Sequence, residues 1–199
     1  EPNFFDGVRT TGEMSQIIVA VDNGRIVGTG CRSVKNLYVN GMQEPVGYLS
    51  GLRLADSVQN GTVLARGYSY FRHLHSDNKT PAYLTTIIHG NEHARQMLTS
   101  KRAGLPSYIP MGTYLTHVIP VQTRLGRNSS ARELKIDSGA QVSKDEVVTF
   151  LNQEGSRRQF FPVSKMNGNG KGMLDSIGMQ NLLVARQDRQ IMGVMAIWN

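Results

Sequence analysis

A short polar loop at residues 59–62 joins a strand-like run to a helix-like run, and it is the first place where this sequence could do chemistry. The run before it, residues 46–54, is largely apolar, and the apolar residues after it recur at helical spacing. Unpaired N–H groups at the start of a helix, together with the helix dipole, form a favourable site for an anion. The pattern therefore favours a phosphate-binding loop.

Two pairs of histidines are the candidate metal ligands. His89 and His93 are four residues apart, and His73 and His75 are two apart. A metal site would need a third ligand and a fixed geometry. His89 precedes the expected start of a helix, so it need not share a face with His93. The sequence therefore predicts no metal site.

Composition and charge limit the function classes. The 199 residues carry a net charge of +7 and are 39% hydrophobic, which is typical of a soluble protein. No apolar run approaches the roughly 20 residues of a membrane span. The single cysteine, Cys31, excludes an internal disulfide and favours a buried thiol in a cytoplasmic protein. The positive charge suits an anionic ligand or an acidic partner, and the lack of zinc-finger spacing or an RNA-binding aromatic motif disfavours nucleic acid.

The elements that must position the loop follow from turn and cap residues. Asn23-Gly24 and Asn40-Gly41 predict two hairpins, after a short helix that ends near Gly12. Thr62 is the expected N-cap of the helix after the loop, and Asn91 that of a shorter helix. Residues 82–88 predict a strand between the two helices. This order of elements predicts an α/β fold.

The rest of the chain repeats part of this pattern. Residues 122–132 are polar, basic and Ser-rich, which is typical of a linker. A strand is expected at residues 134–139. A helix should then begin at Ser143, with Glu146 completing a capping box, and end at Gly155. A second polar turn predicts a closing hairpin.

The first and the last hairpins match at a constant offset of 165 residues. Four residues are identical at this offset: Val19, Ala20, Ile26 and Gly28 with Val184, Ala185, Ile191 and Gly193. One interpretation is that any two hairpins look alike, and the other is a tandem repeat. A repeat would mean that the first copy lacks its beginning and the second its end, so that the chain is a piece of a longer protein.

Residues 14–119 resemble the GCN5-related N-acetyltransferase (GNAT) superfamily, and residues 133–199 resemble the first half of a second such domain. The resemblance rests on a hairpin, a long strand, a loop of the form Q/R-x-x-G-x-G/A, a helix, a strand and an N-x-x-A helix. The segments YLSGLRL, LARGY and YLTTI resemble a tandem-domain subgroup. The resemblance implies a mixed, mostly antiparallel sheet with helices on both faces. It also implies a domain at 1–121, a linker at 122–132 and a partial second unit at 133–199 packed on the first.

The resemblance also implies which residues bind the acyl donor. In the superfamily the loop and the helix start hold the pyrophosphate of acetyl-CoA, and the preceding strand bonds the pantetheine arm through its backbone. The implied residues are Leu52, Arg53, Leu54, Gln59, Asn60, Gly61, Thr62, Val63, Leu64, Asn91 and Ala94. This chain departs from the pattern because Thr62 and Leu64 occupy the two positions that are usually small, and Gly61 is one place early.

The catalytic residues are less well defined. Many members of the superfamily have a tyrosine general acid seven residues after the asparagine of the N-x-x-A helix, and Leu98 occupies that position here. Ser100 is the candidate hydroxyl that could donate a hydrogen bond to the leaving thiolate. Glu44 and Glu92 are the carboxylates considered as a base, and both are expected to be surface charges.

Three functions fit these residues. The first is an N-acyltransferase that moves an acyl group, acetyl foremost, from acyl-CoA to an amine by direct attack and without a metal. The second resembles an N-acyl amino acid synthase with an acidic acyl carrier protein as donor. The third is a degenerate, non-catalytic GNAT scaffold. The sequence leaves the acceptor and the oligomeric state open.

Overall fold

The computed structural model describes residues 3–58, 62–102, 104–115, 134–165, 174 and 177–197. The chain forms two compact units. The first comprises Glu1–Asn36 and Glu44–Tyr114, and the second comprises Leu37–Gln43 and Leu115–Asn199. The boundaries expected from the sequence, 1–121 and 133–199, stay a prediction, and the linker at 122–132 lies outside the described residues.

A four-stranded sheet with three helices makes up the first unit. Its elements are α1 (Phe4–Thr10), β1 (Met14–Asp22), β2 (Arg25–Val39), β3 (Met42–Leu54), α2 (Val63–His75), β4 (Tyr83–Leu84) and α3 (Glu92–Thr99). The strand order is β1-β2-β3-β4, with β1 antiparallel to β2 and β4 parallel to β3. The expected mixed sheet with helices is confirmed. In the part of the chain that the structure describes, no helix has the length and apolar character needed to cross a membrane.

Two tight turns shape the sheet, as the sequence predicts. Asn23 and Gly24 both have positive φ, 48° and 76°, and connect β1 to β2. Asn40 and Gly41, at 51° and 82°, connect β2 to β3. Asparagine and glycine tolerate this left-handed conformation, which gives the turn a twist that matches the twist of the flanking strands.

The prediction of a strand over residues 82–88 is wrong in its length, because the observed strand is β4 (Tyr83–Leu84). Only Tyr83 and Leu84 pair with β3, opposite Gly47 and Tyr48. Beyond them, side chains replace the backbone ladder: the Thr85 hydroxyl donates to the Leu49 carbonyl at 3.3 Å. The Tyr48 and Thr86 hydroxyls lie 2.6 Å apart and share a hydrogen bond. An apolar, β-branched run predicts a strand, but the threonine hydroxyls offer the backbone other partners.

Arg32, a fully buried residue of β2, is the polar anchor of the first unit. Its guanidinium donates to both carboxylate oxygens of Asp77, at 2.9 and 2.8 Å, just after α2. It also donates to Gln16 Oε1 of β1 and to Tyr83 Oη of β4, each at 2.7 Å. One side chain therefore joins β1, β2, β4 and the end of α2. A bidentate Arg–carboxylate pair is among the stronger hydrogen-bonded contacts in proteins.

Replacing Asp77 should destabilise the first unit and change its response to acid. The Arg32 guanidinium lowers the pKa of the Asp77 carboxyl from 3.8 to about 2. The folded state thus binds this proton more weakly than the unfolded state does. The stabilisation is therefore complete above pH ~4 and is lost as the pH falls toward ~2. We expect Asp77→Asn to lower the urea midpoint at pH 7, since a guanidinium is left buried without its counter-charge.

The matched control is Asp6→Asn, which breaks an exposed pair with Arg9. We expect it to change the free energy of unfolding by no more than about 0.5 kcal/mol. Urea titrations of both variants between pH 2 and pH 7 check the prediction. Equal midpoints for the two variants at pH 7 would contradict it, as would an unchanged acid response in Asp77→Asn.

The second unit is built on a three-stranded antiparallel sheet. Its elements are β5 (Lys135–Ser138), α4 (Lys144–Gly155), β6 (Leu182–Gln187) and β7 (Gln190–Ala196), in the strand order β5-β6-β7. Val147 and Val148 of α4 share a buried apolar core with Leu182 and Val184 of β6. The strand, helix and closing hairpin expected here are confirmed.

The capping box expected at the start of α4 does not form. Ser143 is the N-cap residue, but its side chain makes no capping hydrogen bond. Glu146 accepts a hydrogen bond from the Arg186 guanidinium of β6 instead. A charged partner from the neighbouring strand competes successfully with the local backbone amide, because hydrogen bonds between ionised groups are stronger than those to a neutral amide.

The two hairpins that match at an offset of 165 also share their pairing register. Ala20 pairs with Gly28 just before a register shift in β1–β2, and Ala185 pairs with Gly193 just before a shift in β6–β7. Both turns contain two consecutive residues with positive φ. A β-bulge at the same place is a specific feature of a strand pair. The shared register supports the tandem repeat, which stays a prediction.

Candidate functional site

Strand β3 extends beyond the end of its pairing with the parallel strand β4. Pairing with β4 ends at Tyr48, yet β3 continues to Leu54. Its other edge remains paired with β2, since the Ala55 amide donates to the Val27 carbonyl at 2.9 Å. Among the described residues, the β4-side edge of residues 49–54 therefore has no strand partner. Backbone groups along such an edge can bond an extended ligand as a strand would.

Gly51 lies in the middle of this unpaired stretch, with φ at 62°. A Cβ added there would lie 3.0 Å from the Cys31 sulfur, so both the backbone conformation and the close approach require glycine. Cys31 itself is buried, and burial raises the pKa of its thiol, which keeps it protonated and unreactive. The expected buried structural thiol is confirmed.

Leu52, Arg53 and Leu54 form the end of β3. Leu52 and Arg53 are exposed, and Leu54 is half-buried. Leu52 and Leu54 face an apolar groove beneath α2, which they line together with residues such as Gly28 and Phe71. Alternation along the strand places Arg53 on the opposite face. Any contact that these three residues make with an extended ligand at the strand edge would come chiefly from the backbone.

The N-cap residue of α2 does not cap the helix with its side chain. Thr62 is the N-cap residue, with φ at −82° and ψ at 0°, and its side chain makes no capping hydrogen bond. Its carbonyl accepts the first helical bond, from the Arg66 amide at 2.9 Å. The first turn of any α-helix has N–H groups without intrahelical partners, and Val63 and Leu64 lie in that turn. The start of α2 thus presents amide donors; Gln59, Asn60 and Gly61 lie outside the described residues.

Asn91 is the N-cap of α3, as predicted. Its Oδ1 accepts a hydrogen bond from the Ala94 amide at 3.1 Å. This contact accounts for the asparagine of the N-x-x-A pattern, which caps the helix. The alanine takes part only through its backbone amide. The structural role of Asn91 is thus established, and a contact with a donor molecule would be an additional role.

The candidate hydroxyl and the leucine near it are in different environments. Ser100 is the exposed C-cap residue of α3, and its hydroxyl donates to the Met97 carbonyl at 2.7 Å. Leu98 is only 4% exposed and belongs to the apolar core. The position at which the resemblance would place a tyrosine general acid is therefore occupied by a packed leucine.

A pair of tyrosines in the first unit was missed by sequence reasoning. The hydroxyls of Tyr68, on α2, and Tyr108, which follows α3, lie 2.8 Å apart. Burial and this hydrogen bond raise the pKa of Tyr68 well above its ordinary value, so its hydroxyl stays protonated. The contact ties the segment after α3 to α2. Forty residues separate the pair, so no local pattern reports it.

The predicted site residues that the structure describes lie at three elements. Leu52, Arg53 and Leu54 lie on the long strand, and Thr62, Val63 and Leu64 lie at the helix start to which that strand leads. Asn91, Ala94 and Ser100 lie on α3. Among the described residues, no group of three or more His, Cys, Asp or Glu side chains is arranged to hold a metal ion.

Neither a family model nor a curated protein matches the chain. An aminoglycoside acetyltransferase from an uncultured soil metagenomic sample is 15% identical over 53% of this chain and 65% of its own, with a TM-score of 0.40. AAC(6')-Iy, in complex with the bisubstrate analog CoA-S-monomethyl-acetylneamine, is 16% identical over 54% of this chain and 73% of its own, with a TM-score of 0.42. A ribosomal-protein-alanine N-acetyltransferase from Brucella melitensis biovar Abortus 2308 is 9% identical over 55% and 72%, with a TM-score of 0.41.

These three solved structures are acetyltransferases, and the chain spans 65% of the first of them. Their TM-scores are below 0.5 and their identities below 20%. The function of this chain therefore has to be inferred from its own residues.

The capping role of Asn91 gives a stability prediction. Replacing an N-cap asparagine by alanine costs about 1 kcal/mol, so we expect Asn91→Ala to lower the free energy of unfolding by that amount. Asn91→Asp keeps an acceptor oxygen at the helix start and should be close to the parent in stability. Urea denaturation of the three proteins at pH 7 checks this, and equal stability of Asn91→Ala and the parent would show that the cap contributes nothing.

Proposed function

We propose that the chain is a GNAT-type N-acyltransferase that moves an acyl group, acetyl foremost, from acyl-CoA to an amine. One observation carries the proposal. Strand β3 continues past its partner β4 and leads to a helix whose N-cap residue, Thr62, makes no side-chain capping hydrogen bond. This combination offers an unpaired strand edge and a set of helix-start amides along one continuous path, which suits a long ligand with an anionic end.

The anionic end of acyl-CoA would lie at the start of α2. The N–H groups of Val63 and Leu64 would donate to the diphosphate, with the loop residues Gln59, Asn60 and Gly61 completing the site. Arg66, exposed and one turn into the helix, adds positive charge nearby. The net charge of +7 favours binding of an anionic ligand in general.

The pantetheine arm would extend along β3. Backbone groups of Leu52, Arg53 and Leu54 on the β4 side would bond its amides in the manner of a strand. Asn91 and Ala94 of α3 are the proposed contacts on the other side of the arm. Since the Asn91 Oδ1 already accepts from the Ala94 amide, the asparagine would use its amide nitrogen.

The reaction needs little covalent chemistry from the protein. The nitrogen lone pair of the amine attacks the thioester carbonyl carbon, the carbon–sulfur bond breaks, and CoA leaves as a thiolate while the new amide loses a proton. The enzyme would hold the two reactants in line and stabilise the departing sulfur. Ser100 is the proposed donor to the thiolate, for which its hydroxyl would turn from the Met97 carbonyl that it now bonds.

A second candidate, a non-catalytic GNAT scaffold, is favoured by α3. Leu98 is packed in the core at the position where many GNAT enzymes have a tyrosine, and the Ser100 hydroxyl already has a partner. A scaffold would retain the fold and lack the donor to the leaving group. The two candidates differ in thiol release from acetyl-CoA.

The charge at the start of α2 provides the test of donor binding. We expect the parent to bind acetyl-CoA with micromolar affinity, weakened only modestly by salt. Thr62→Asp should weaken binding roughly tenfold or more, since a carboxylate at the helix start repels diphosphate. Thr62→Asn is the matched control: it has nearly the same shape as the aspartate without the charge. Any capping of the helix-start amides is common to both variants, so Thr62→Asn should bind acetyl-CoA more tightly than Thr62→Asp. Calorimetric titration at two salt concentrations measures all three.

The outcomes are separable because asparagine and aspartate are both good N-cap residues. The two variants should therefore fold as well as the parent. Equal affinities for Thr62→Asp and Thr62→Asn would show that the helix start does not hold the diphosphate. If the parent does not bind acetyl-CoA, the proposal of an acyl-CoA donor is wrong.

Ser100→Ala separates the enzyme from the scaffold. If Ser100 supports departure of the thiolate, thiol release from acetyl-CoA in the presence of a panel of amines should fall about 100-fold. Affinity for acetyl-CoA should stay unchanged. Ser156→Ala, which alters the C-cap serine of α4, is the control and should leave thiol release unchanged. Thiol release that is absent from the parent and from Ser100→Ala, with acetyl-CoA still bound, would favour the scaffold.

A further inference from the structure

The two matching hairpins have different surroundings. In the second unit, β6 has a neighbour on each edge: β7 on one side and β5 on the other. β5 pairs antiparallel with residues 183–186. The equivalent residues of the first unit, at the offset of 165, are 18–21 of β1. Among the described residues the outer edge of β1 has no strand partner, because β1 is the terminal strand of its sheet.

The two hairpins also differ in whether a helix covers the corresponding face. In the second unit, α4 packs its valines against Leu182 and Val184, which are 2% and 0% exposed. The equivalents of these two residues in β1 are Ile17 and Val19, which are 36% and 49% exposed. Alternation along β1 places them on the face opposite Ile18, which faces α2. The first unit thus leaves uncovered a surface of the kind that the second unit covers.

Residues 17–21 of β1 also lack the charged and proline residues that often protect a strand edge. The register shift between Ala20 and Val21 has its counterpart between Ala185 and Arg186 of β6, which nevertheless pairs with β5. The sequence of residues 17–21 is Ile-Ile-Val-Ala-Val, which contains no charged residue and no proline. Exposed apolar edge strands are normally blunted by such residues, since an unprotected edge pairs readily with another strand. An edge of this composition is suited to permanent pairing, and its apolar face is suited to burial.

We propose that the outer edge and exposed face of β1 form a docking surface for a strand–helix segment. The segment adds a short antiparallel strand to residues 18–21 and lays an amphipathic helix over Ile17 and Val19. Its chemistry is that of β5 and α4: an apolar residue in the short strand and β-branched apolar residues on the inner face of the helix. The inference rests on the internal match between the hairpins and is independent of the acyltransferase proposal.

A peptide with the sequence of residues 134–156 is the probe, since it contains the strand and helix that cover the equivalent hairpin. We expect it to slow amide hydrogen exchange at residues 17–21 of the full chain by about tenfold or more at saturation. The same peptide with both Val147 and Val148 replaced by aspartate should give no protection. Fusion of the peptide to the chain through a flexible linker raises its effective concentration and tests the same contact at weak affinity.

Val19→Lys places a charge on the proposed surface and should abolish the protection. Ile88→Lys is the matched control, because Ile88 is exposed and lies outside β1. Circular dichroism checks that both variants fold. Absence of protection by the free and the fused peptide would overturn the inference. So would sedimentation showing a dimer of the parent that Val19→Lys dissociates, because a second copy would then cover the surface.

Discussion

A guanidinium that is fully removed from water has to have its donors satisfied, and the first unit is arranged around meeting this requirement for Arg32. The acceptors come from Gln16, Asp77 and Tyr83, which belong to three different parts of the chain. Through these contacts Arg32 connects the sheet, the end of α2 and the start of β4. The cost of breaking such a buried pair exceeds its net contribution to stability, because the loss of one partner leaves the other buried without its counter-charge.

This anchor also explains where the candidate site lies. Arg32 fixes the C-terminal end of α2 through Asp77 and the beginning of the β4 segment through Tyr83. Among the described residues, the start of α2 and the part of β3 beyond Tyr48 make no contact with this network. Their polar groups are left for a ligand: amides at the helix start and an unpaired edge on the strand. An anchor at the C-terminal end of α2 helps to orient the amides at its other end before a ligand arrives, which favours binding.

Local sequence signals predicted the elements that depend on local physics. Asn40-Gly41 set a hairpin because few other residues adopt two consecutive positive φ values, and Asn91 capped α3 because its short side chain reaches the Ala94 amide. The signals failed where a distant partner competed. Thr85 bonds the carbonyl of Leu49 and ends the strand early, and Glu146 bonds Arg186 and leaves the capping box unformed. The Arg32 network could not be predicted, since its partners lie 16, 45 and 51 residues away.

The matched hairpins show how much of a strand pair is set by its own sequence. The same alanine–glycine pair precedes the same register shift in both units, although among the described residues only β6 has a strand on its second edge and a helix over the face that corresponds to Ile17 and Val19. Turn geometry and the bulge are therefore local properties, whereas burial is supplied by neighbours. For the candidate site this has a direct consequence. β1 supplies Gln16 to Arg32, so a segment that covered β1 would also hold the Arg32 network and, through Asp77, the helix whose start faces the proposed donor.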